Sequence, residues 1–203
     1  MSLPRRIVFA SGNPGKLREV KRLLEGFGVD VVPQSNFDVE EADETGTTFL
    51  ENSLIKSRHA AEVTGLPAIA DDSGLAVDAL GGAPGVYSAR YSGPDATDDS
   101  NIDKLLADLD GVADSERTAA FHCVASFVDP ETGDEVIGEG VWPGRILTAR
   151  QGDGGFGYDP VFFDPQRGKS AALFGADEKN AASHRGQALR ALVAALEARY
   201  ERP

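Results

Sequence analysis

The sequence predicts a mixed α/β fold, and three patterns carry that prediction. A short apolar run at 7–10 leads through the glycine-bearing turn Ser11-Gly12-Asn13-Pro14-Gly15-Lys16 into Leu17, Val20, Leu23, Leu24 and Phe27 at helical spacing. Residues 118–128 form a long strand pattern with Phe121, Cys123, Ala125 and Phe127 on one face, and the turn-rich 129–134 stretch sends the chain back along 135–141. Leu189, Leu192, Val193, Leu196 and Tyr200 pattern a last helix. Strand–helix units beside a long antiparallel pair imply a mixed sheet, in an α/β or α+β fold with a hairpin-rich lobe.

In chain order, the first strand is 7–10 and the turn 11–16 opens a helix running to Gly26 or Gly28. A strand feeding a glycine turn at a helix N-terminus suits an anion, through backbone N–H groups and the helix dipole. Lys16 then stands within reach of a phosphate, although the spacing is not that of a Walker A loop. A plain helix-entry turn with a solvated lysine explains the same residues. A second strand covers 29–32, and 38–44 is an acidic run of the kind that is usually solvated.

Thr48 and Glu51 make a capping box for the next helix. One stripe of that helix holds Leu50, Leu54, Ser57 and Ala61, and another holds Phe49, Asn52, Ser53, Lys56, Ala60 and Val63. Lys56 and Asn52 thus share a face with apolar residues, so Lys56 either lays its stem along a core edge or points into a site.

Ala68, Ile69 and Ala70 read as a buried strand running into Asp71, Asp72, Ser73 and Gly74. Ligands of α/β sheets gather at the carboxyl ends of strands, which makes this pair a candidate site. Successive side chains alternate faces, so both aspartates serve one site only if the chain turns between them. The expectation is that Asp72 turns in, beside Ser73 and Gly74; a simple Asp-Asp-Ser-Gly surface turn is the alternative.

A strand at 75–77, a turn at 81–85 and a helix over 99–110, patterned by Ile102, Leu105, Leu106 and Leu109, follow. Residues 152–157 match G-x-G-x-x-G but lead into an expected strand at 158–163, and a dinucleotide fingerprint must open a helix. The loop presents Phe156 and Asp159, the phenylalanine being either a stacking platform or a core plug. Ser183 suits a helix N-cap, which puts His184 and Arg185 in a first turn where the dipole disfavours cations. That mismatch points to a ligand, with tolerated surface residues as the plainer explanation.

Bulk properties narrow the function. A formal net charge of −13 disfavours a nucleic-acid backbone as partner and obliges an anionic substrate to find local cations. One cysteine, Cys123, excludes an intrachain disulfide and fits a reducing cytoplasmic compartment; with His59, His122 and His184 it makes no zinc spacing. The apolar run after Arg5-Arg6 is too short for a signal-peptide core or a membrane span.

Taken together, SGNPGK (11–16), ETGTTFLENS with Lys56 (44–56), PAIADDSGLAVDALGGAPGVYSARYSG (67–93), GGFGYDPVFF (154–163) and EKNAASHRGQAL (178–189) resemble, in order and over nearly the whole chain, the non-canonical purine nucleoside triphosphate pyrophosphatases, the inosine triphosphatase family. Pro14, Ser53, Ser57 and Phe174-Gly175 depart from the family's usual residues without removing a functional side chain.

The resemblance implies one domain over 1–203, an elongated mixed sheet with helices, and two lobes flanking a cleft. It implies a homodimer and Mg²⁺-dependent hydrolysis of ITP, dITP and XTP to the monophosphate and pyrophosphate. The alternatives are a pyrophosphatase for other modified nucleotides and a non-hydrolytic nucleotide-binding regulator. On this resemblance Glu44 and Asp72 hold the metal, Asp72 accepts the proton with Asp71 as second choice, and Lys56 acts in catalysis. Ser11, Gly12, Asn13, Pro14, Gly15, Lys16 and Lys179 are expected at the phosphates, with Ser73 beside Asp72. Phe156, Gly157, Tyr158, Asp159, His184 and Arg185 are expected at the base or ribose.

Overall fold

The structure is a computed structural model and describes residues 4–200. The chain order is β1 (Arg6–Phe9), α1 (Pro14–Leu24), β2 (Asp30–Pro33), α2 (Phe49–Thr64), β3 (Ala68–Val77), α3 (Asp98–Asp108), β4 (Thr118–Val128), β5 (Glu135–Ile146), β6 (Phe162–Asp164), β7 (Lys169–Ser170), α4 (Ala176–Ala182) and α5 (His184–Arg199), with short 3₁₀ turns between. The strands line up in the order β2-β1-β3-β4-β5-β6-β7. β1 is parallel to β2 and β3, while β5, β6 and β7 pair antiparallel, so the sheet is mixed as the sequence predicts.

The chain divides into two units. Among the described residues, the first comprises 4–72, 123–140 and 185–200, and the second 73–122 and 141–184. The ends of the expected 1–203 domain lie outside the described residues. Among the described residues no helix is long and apolar enough to cross a membrane.

In the first unit, alternation along the strands sorts two cores. Ile7, Phe9 and Ile69 pack with Val20 and Leu24 of α1, with Cys123, Ala125 and Phe127 of β4, and with Leu189, Leu192 and Leu196 of α5. Val8, Ala10, Ala68 and Ala70 carry the opposite parity and pack with Ala60 and Ala61 of α2. The second unit has its own core, in which Leu75, Val77, Phe121, Trp142 and Phe162 meet Ile102, Leu105 and Leu109 of α3.

Four expectations change. The Asp-Asp-Ser-Gly stretch is no turn: β3 runs unbroken from Ala68 to Val77, so 68–70 and 75–77 are one strand. The parallel pairing of β1 with β3 ends at Phe9 and Ile69, and the aspartates emerge just past that edge. Helix α1 starts at Pro14, not Leu17, because Asn13 caps it and proline suits the first turn. Residues 158–161 are turn and only Phe162–Asp164 is strand: Val161 N and Phe162 N both bond to Tyr158 O, which coils the chain before it can extend. The seven-residue α4 was hidden in the alanine- and polar-rich 176–182 stretch, which has no apolar stripe.

The return strand β5 also runs on to Ile146. Gly144 permits this, since a Cβ there would collide with the Phe162 ring.

Candidate active site

The sequence puts two carboxylates side by side on β3, and the parity of the sheet separates them. Asp71 follows Ile69 onto the face covered by α1 and α5; Asp72 follows Ala70 onto the face covered by α2. Each then meets the cations that its own helices supply.

Asp71 is buried, and its Oδ2 accepts from Lys16 Nζ at 2.8 Å and from Arg185 Nε at 3.3 Å. Burial alone would raise its pKa, but Lys16 and Arg185 outweigh that and hold the carboxyl well below the usual range. Asp71 Oδ1 is buried with no hydrogen-bond partner among the described residues. Cys123, beside this cluster, has its thiol pushed up by burial and by the Asp71 charge, so it behaves as a small core residue.

Asp72 Oδ1 accepts from Lys56 Nζ at 2.8 Å, and the same ammonium donates to Glu44 Oε1 at 2.7 Å. One cation therefore stands between two carboxylates. Burial raises the Asp72 pKa, opposed by Lys56 and reinforced by the Glu44 charge. Burial would lower that of Lys56, but the two carboxylates overcome it and the ammonium is held charged. Lys56 thus points into the acidic pair and is not a lysine stem with its head in water.

Helix α2 sets this geometry. Thr48 and Glu51 form the predicted capping box, and Glu51 Oε2 also accepts from Thr47. Asn52 Oδ1 takes the Gly46 N–H at 2.8 Å, which ties the segment after Glu44 to the helix that carries Lys56. Asn52 Nδ2 faces Asp72 Oδ2 at 3.5 Å. Ser53 and Ser57, each the residue after one of these side chains, meet Ser126 of β4 at 2.7 and 2.8 Å. The substituted serines therefore form a buried hydroxyl cluster that pins α2 to the sheet. Ser126 was missed; its only sequence signal is a hydroxyl in an otherwise apolar strand.

The 11–16 turn differs in detail from an open anion cradle. Asn13 Oδ1 accepts the Gly15 and Lys16 N–H groups at 2.8 and 3.2 Å, and Asn13 N donates to Ser11 Oγ at 3.2 Å. A phosphate using the Gly15 and Lys16 donors has to displace the Asn13 carbonyl. Gly12 and Pro14 are exposed here, and the Lys16 ammonium is turned to Asp71.

In the second unit, Phe156 is 54% exposed, so it is not a core plug. The Lys179 ammonium lies 4.2 Å from its ring centroid, a cation–π contact, and is ion-paired to Asp159. Asp159 is buried, and its Oδ2 also accepts from Phe156 N at 2.8 Å. Gly155 has positive φ, and a Cβ there would strike that carboxylate, so glycine is required at this point of the loop. Gly157 N donates to Asp98 Oδ2 at 2.7 Å. Asp98 escaped the sequence reading because an acid in a helix's first turn ordinarily just complements the dipole.

Tyr158 is buried and donates to Ser88 O at 2.7 Å. His184 stacks on Phe121 with centroids 4.7 Å apart, near Trp142. Ser73 is half-buried on β3. In the first unit the structure thus brings Lys16, Asp71 and Arg185 together, and Glu44, Lys56 and Asp72 together; in the second it joins Phe156, Asp159 and Lys179.

Among the described residues no group of three or more His, Cys, Asp or Glu side chains is arranged to hold a metal ion. The Glu44 and Asp72 oxygens do converge on one cation, the Lys56 ammonium.

Comparison with known proteins agrees over nearly the full length. The chain is 56% identical over 192 residues to a protein from Pectobacterium atrosepticum named dITP/XTP pyrophosphatase, covering 94% of this chain and 98% of that one. A Shigella flexneri protein of the same name is 57% identical with the same coverage. Among solved structures, a HAM1 protein from Coxiella burnetii superposes with a TM-score of 0.91 at 48% identity, covering 96% of this chain and 100% of that one. A structure from Mycobacterium abscessus described as nucleoside-triphosphatase / dITP/XTP pyrophosphatase gives 0.79 at 47%, covering 93% and 97%. The sequence profile of the Ham1 family matches residues 7–195, a span that takes in both cation–carboxylate clusters and the Phe156 loop, and the chain belongs to that family.

Proposed function

We propose that this protein hydrolyses the non-canonical purine nucleoside triphosphates ITP, dITP and XTP to the nucleoside monophosphate and pyrophosphate. The observation that carries the proposal is the pair Asp71 and Asp72, adjacent in sequence and each set among its own cations, in a chain 56–57% identical to relatives that bear the corresponding name. Water attacks the α-phosphorus and pyrophosphate leaves. Positioning and charge stabilisation supply most of the rate.

Asp72 takes the proton from the attacking water, because Asp71 is already committed to Lys16 and Arg185. Asp71, held ionised, positions Lys16 and Arg185. Lys16, Lys56 and Lys179 offset phosphate charge, and the 11–16 turn and Ser73 bind phosphate oxygens. Phe156 stacks on the purine, with Gly157, Tyr158, Asp159, His184 and Arg185 at the base and ribose. A homodimer in the cytoplasm belongs to the same proposal.

The donor set suits Mg²⁺. Magnesium takes hard oxygens at short range and characteristically uses one or two carboxylates, with water and phosphate oxygens completing its shell. Glu44 Oε1 and Asp72 Oδ1 already converge on one positive charge. When bound, the ion would neutralise phosphate charge and make the water more acidic.

The test is pyrophosphate release with Mg²⁺ from ITP, dITP, XTP, GTP and ATP. The expected result is a kcat/KM for the 6-oxo substrates ITP and XTP at least about 10²-fold above that for ATP, well within the roughly 10⁴–10⁵ by which a site with unmatched buried donors can discriminate. Comparable rates for all five, or binding without pyrophosphate release, would overturn the proposal.

A further inference from the structure

We infer that the Lys56 ammonium fills the divalent-cation place in the free protein and gives it up only when a triphosphate arrives. Lys56 Nζ sits 2.7 Å from Glu44 Oε1 and 2.8 Å from Asp72 Oδ1, the two oxygens assigned above to the metal. An ammonium donating to both neutralises a like-charged, partly buried carboxylate pair that would otherwise repel. The same oxygens serve Mg²⁺ only if the ammonium withdraws, since two cations do not share that gap.

Lys56 is anchored by its helix. The capping box, the Asn52 bond to Gly46 and the Ser53–Ser126–Ser57 cluster fix the backbone of α2. Vacating the gap is therefore a change of lysine rotamer, not of helix position. In the free protein such a rotation would leave a desolvated ammonium without partners. A polyphosphate changes the balance, because its oxygens give the displaced ammonium a new counter-charge.

Metal and nucleotide therefore bind with positive coupling. Each tightens the other by the same factor, because linkage is reciprocal. Free Mg²⁺ binds weakly, and the metal enters as its nucleotide complex. This inference rests on the reading of Glu44 and Asp72 as metal ligands.

The experiment titrates Mn²⁺ into the full chain and counts free ion by electron paramagnetic resonance, with no turnover involved. The wild-type protein should bind Mn²⁺ weakly, and Lys56→Met should bind it at least tenfold more tightly without nucleotide. Adding Glu44→Gln to Lys56→Met should abolish that gain. A non-hydrolysable imidotriphosphate analogue of ITP should tighten Mn²⁺ binding to the wild type by a comparable factor beyond the analogue's own affinity for the ion. That arm needs no substitution and keeps the test valid if Lys56→Met fails to fold.

If Lys56→Met binds no more tightly than wild type, while the wild type with analogue does and loses that binding on Glu44→Gln, the counter-ion role is wrong and the metal reading stands. If the gain in Lys56→Met survives Glu44→Gln, or if the analogue-supported binding does, the ion is held elsewhere and the metal reading itself fails.

Discussion

Asp71 and Asp72 are identical side chains one residue apart, yet they have become different instruments. Asp71 faces α1 and α5, is fully enclosed, and has two cations on a single oxygen. Asp72 faces α2 and shares one ammonium with a second carboxylate. The environments drive the two pKa values apart: Asp71 is held down by Lys16 and Arg185 against its burial, and Asp72 is raised by burial and by Glu44 against the pull of Lys56. A single step along a strand suffices, because it exchanges one set of covering helices for another. Pairs of acids whose environments separate them are how proteins divide structural from proton-handling duties.

The largest expected effect breaks or confirms the Asp72 side. Asp72→Asn should lower turnover by about 10³-fold, the scale of a lost general base, with circular dichroism and thermal melting close to wild type. Near-normal pyrophosphate release would strip Asp72 of its role. The Asp71 side should answer in stability: Asp71→Asn abandons two partly buried cations and should cost about 3–5 kcal/mol in a denaturant titration. A loss under 1 kcal/mol would make the two aspartates equivalent after all.

Lys56→Ala should reduce kcat/KM by about 10²-fold, as expected when a charge-stabilising donor is removed. An unchanged kcat/KM would reduce Lys56 to a structural counter-ion.

Acid separates the aspartates by sign. The Asp71 pKa is lower folded than unfolded, so its stabilisation is present above the unfolded value of about 4 and drains away as pH falls toward the folded value. Asp72 is raised, so protonation on acidification favours its folded state. Stability measured against pH should therefore fall below about pH 4 in the wild type, less steeply in Asp71→Asn, and no less steeply in Asp72→Asn. Smallest of all, Ser126→Ala should cost about 1 kcal/mol in the same titration, the net worth of a buried hydroxyl bond. A neutral result would mean that the serine cluster does not hold α2.

Much of this was legible beforehand. The helical spacing of Leu17 to Phe27, the Thr48–Glu51 box and the alternation over 118–128 are local patterns, and α1, α2 and β4 follow them closely. The turn assigned to Asp72-Ser73-Gly74 failed because residues that favour turns were overridden by strand pairing in a central position. The strand expected at 158–163 begins only at Phe162, because side-chain and backbone bonds of Asp159 and Tyr158 coil the chain before it, and hydropathy does not register those bonds. His184 and Arg185 looked mismatched to a helix start, and part of the answer lies inside the protein: Arg185 is met by Asp71, and His184 by the Phe121 ring.

By itself the sequence determined which side chains were available, the mixed α/β class and the family, because periodicity, caps and motifs are written over a few residues at a time. Only the tertiary structure decided which cation meets which carboxylate. Lys16 and Asp71 are 55 positions apart, and Arg185 and Asp71 are 114 apart. Such partnerships depend on which helix covers which face of the sheet, and on the dielectric surroundings that enclosure creates. Neither quantity belongs to any local stretch of chain.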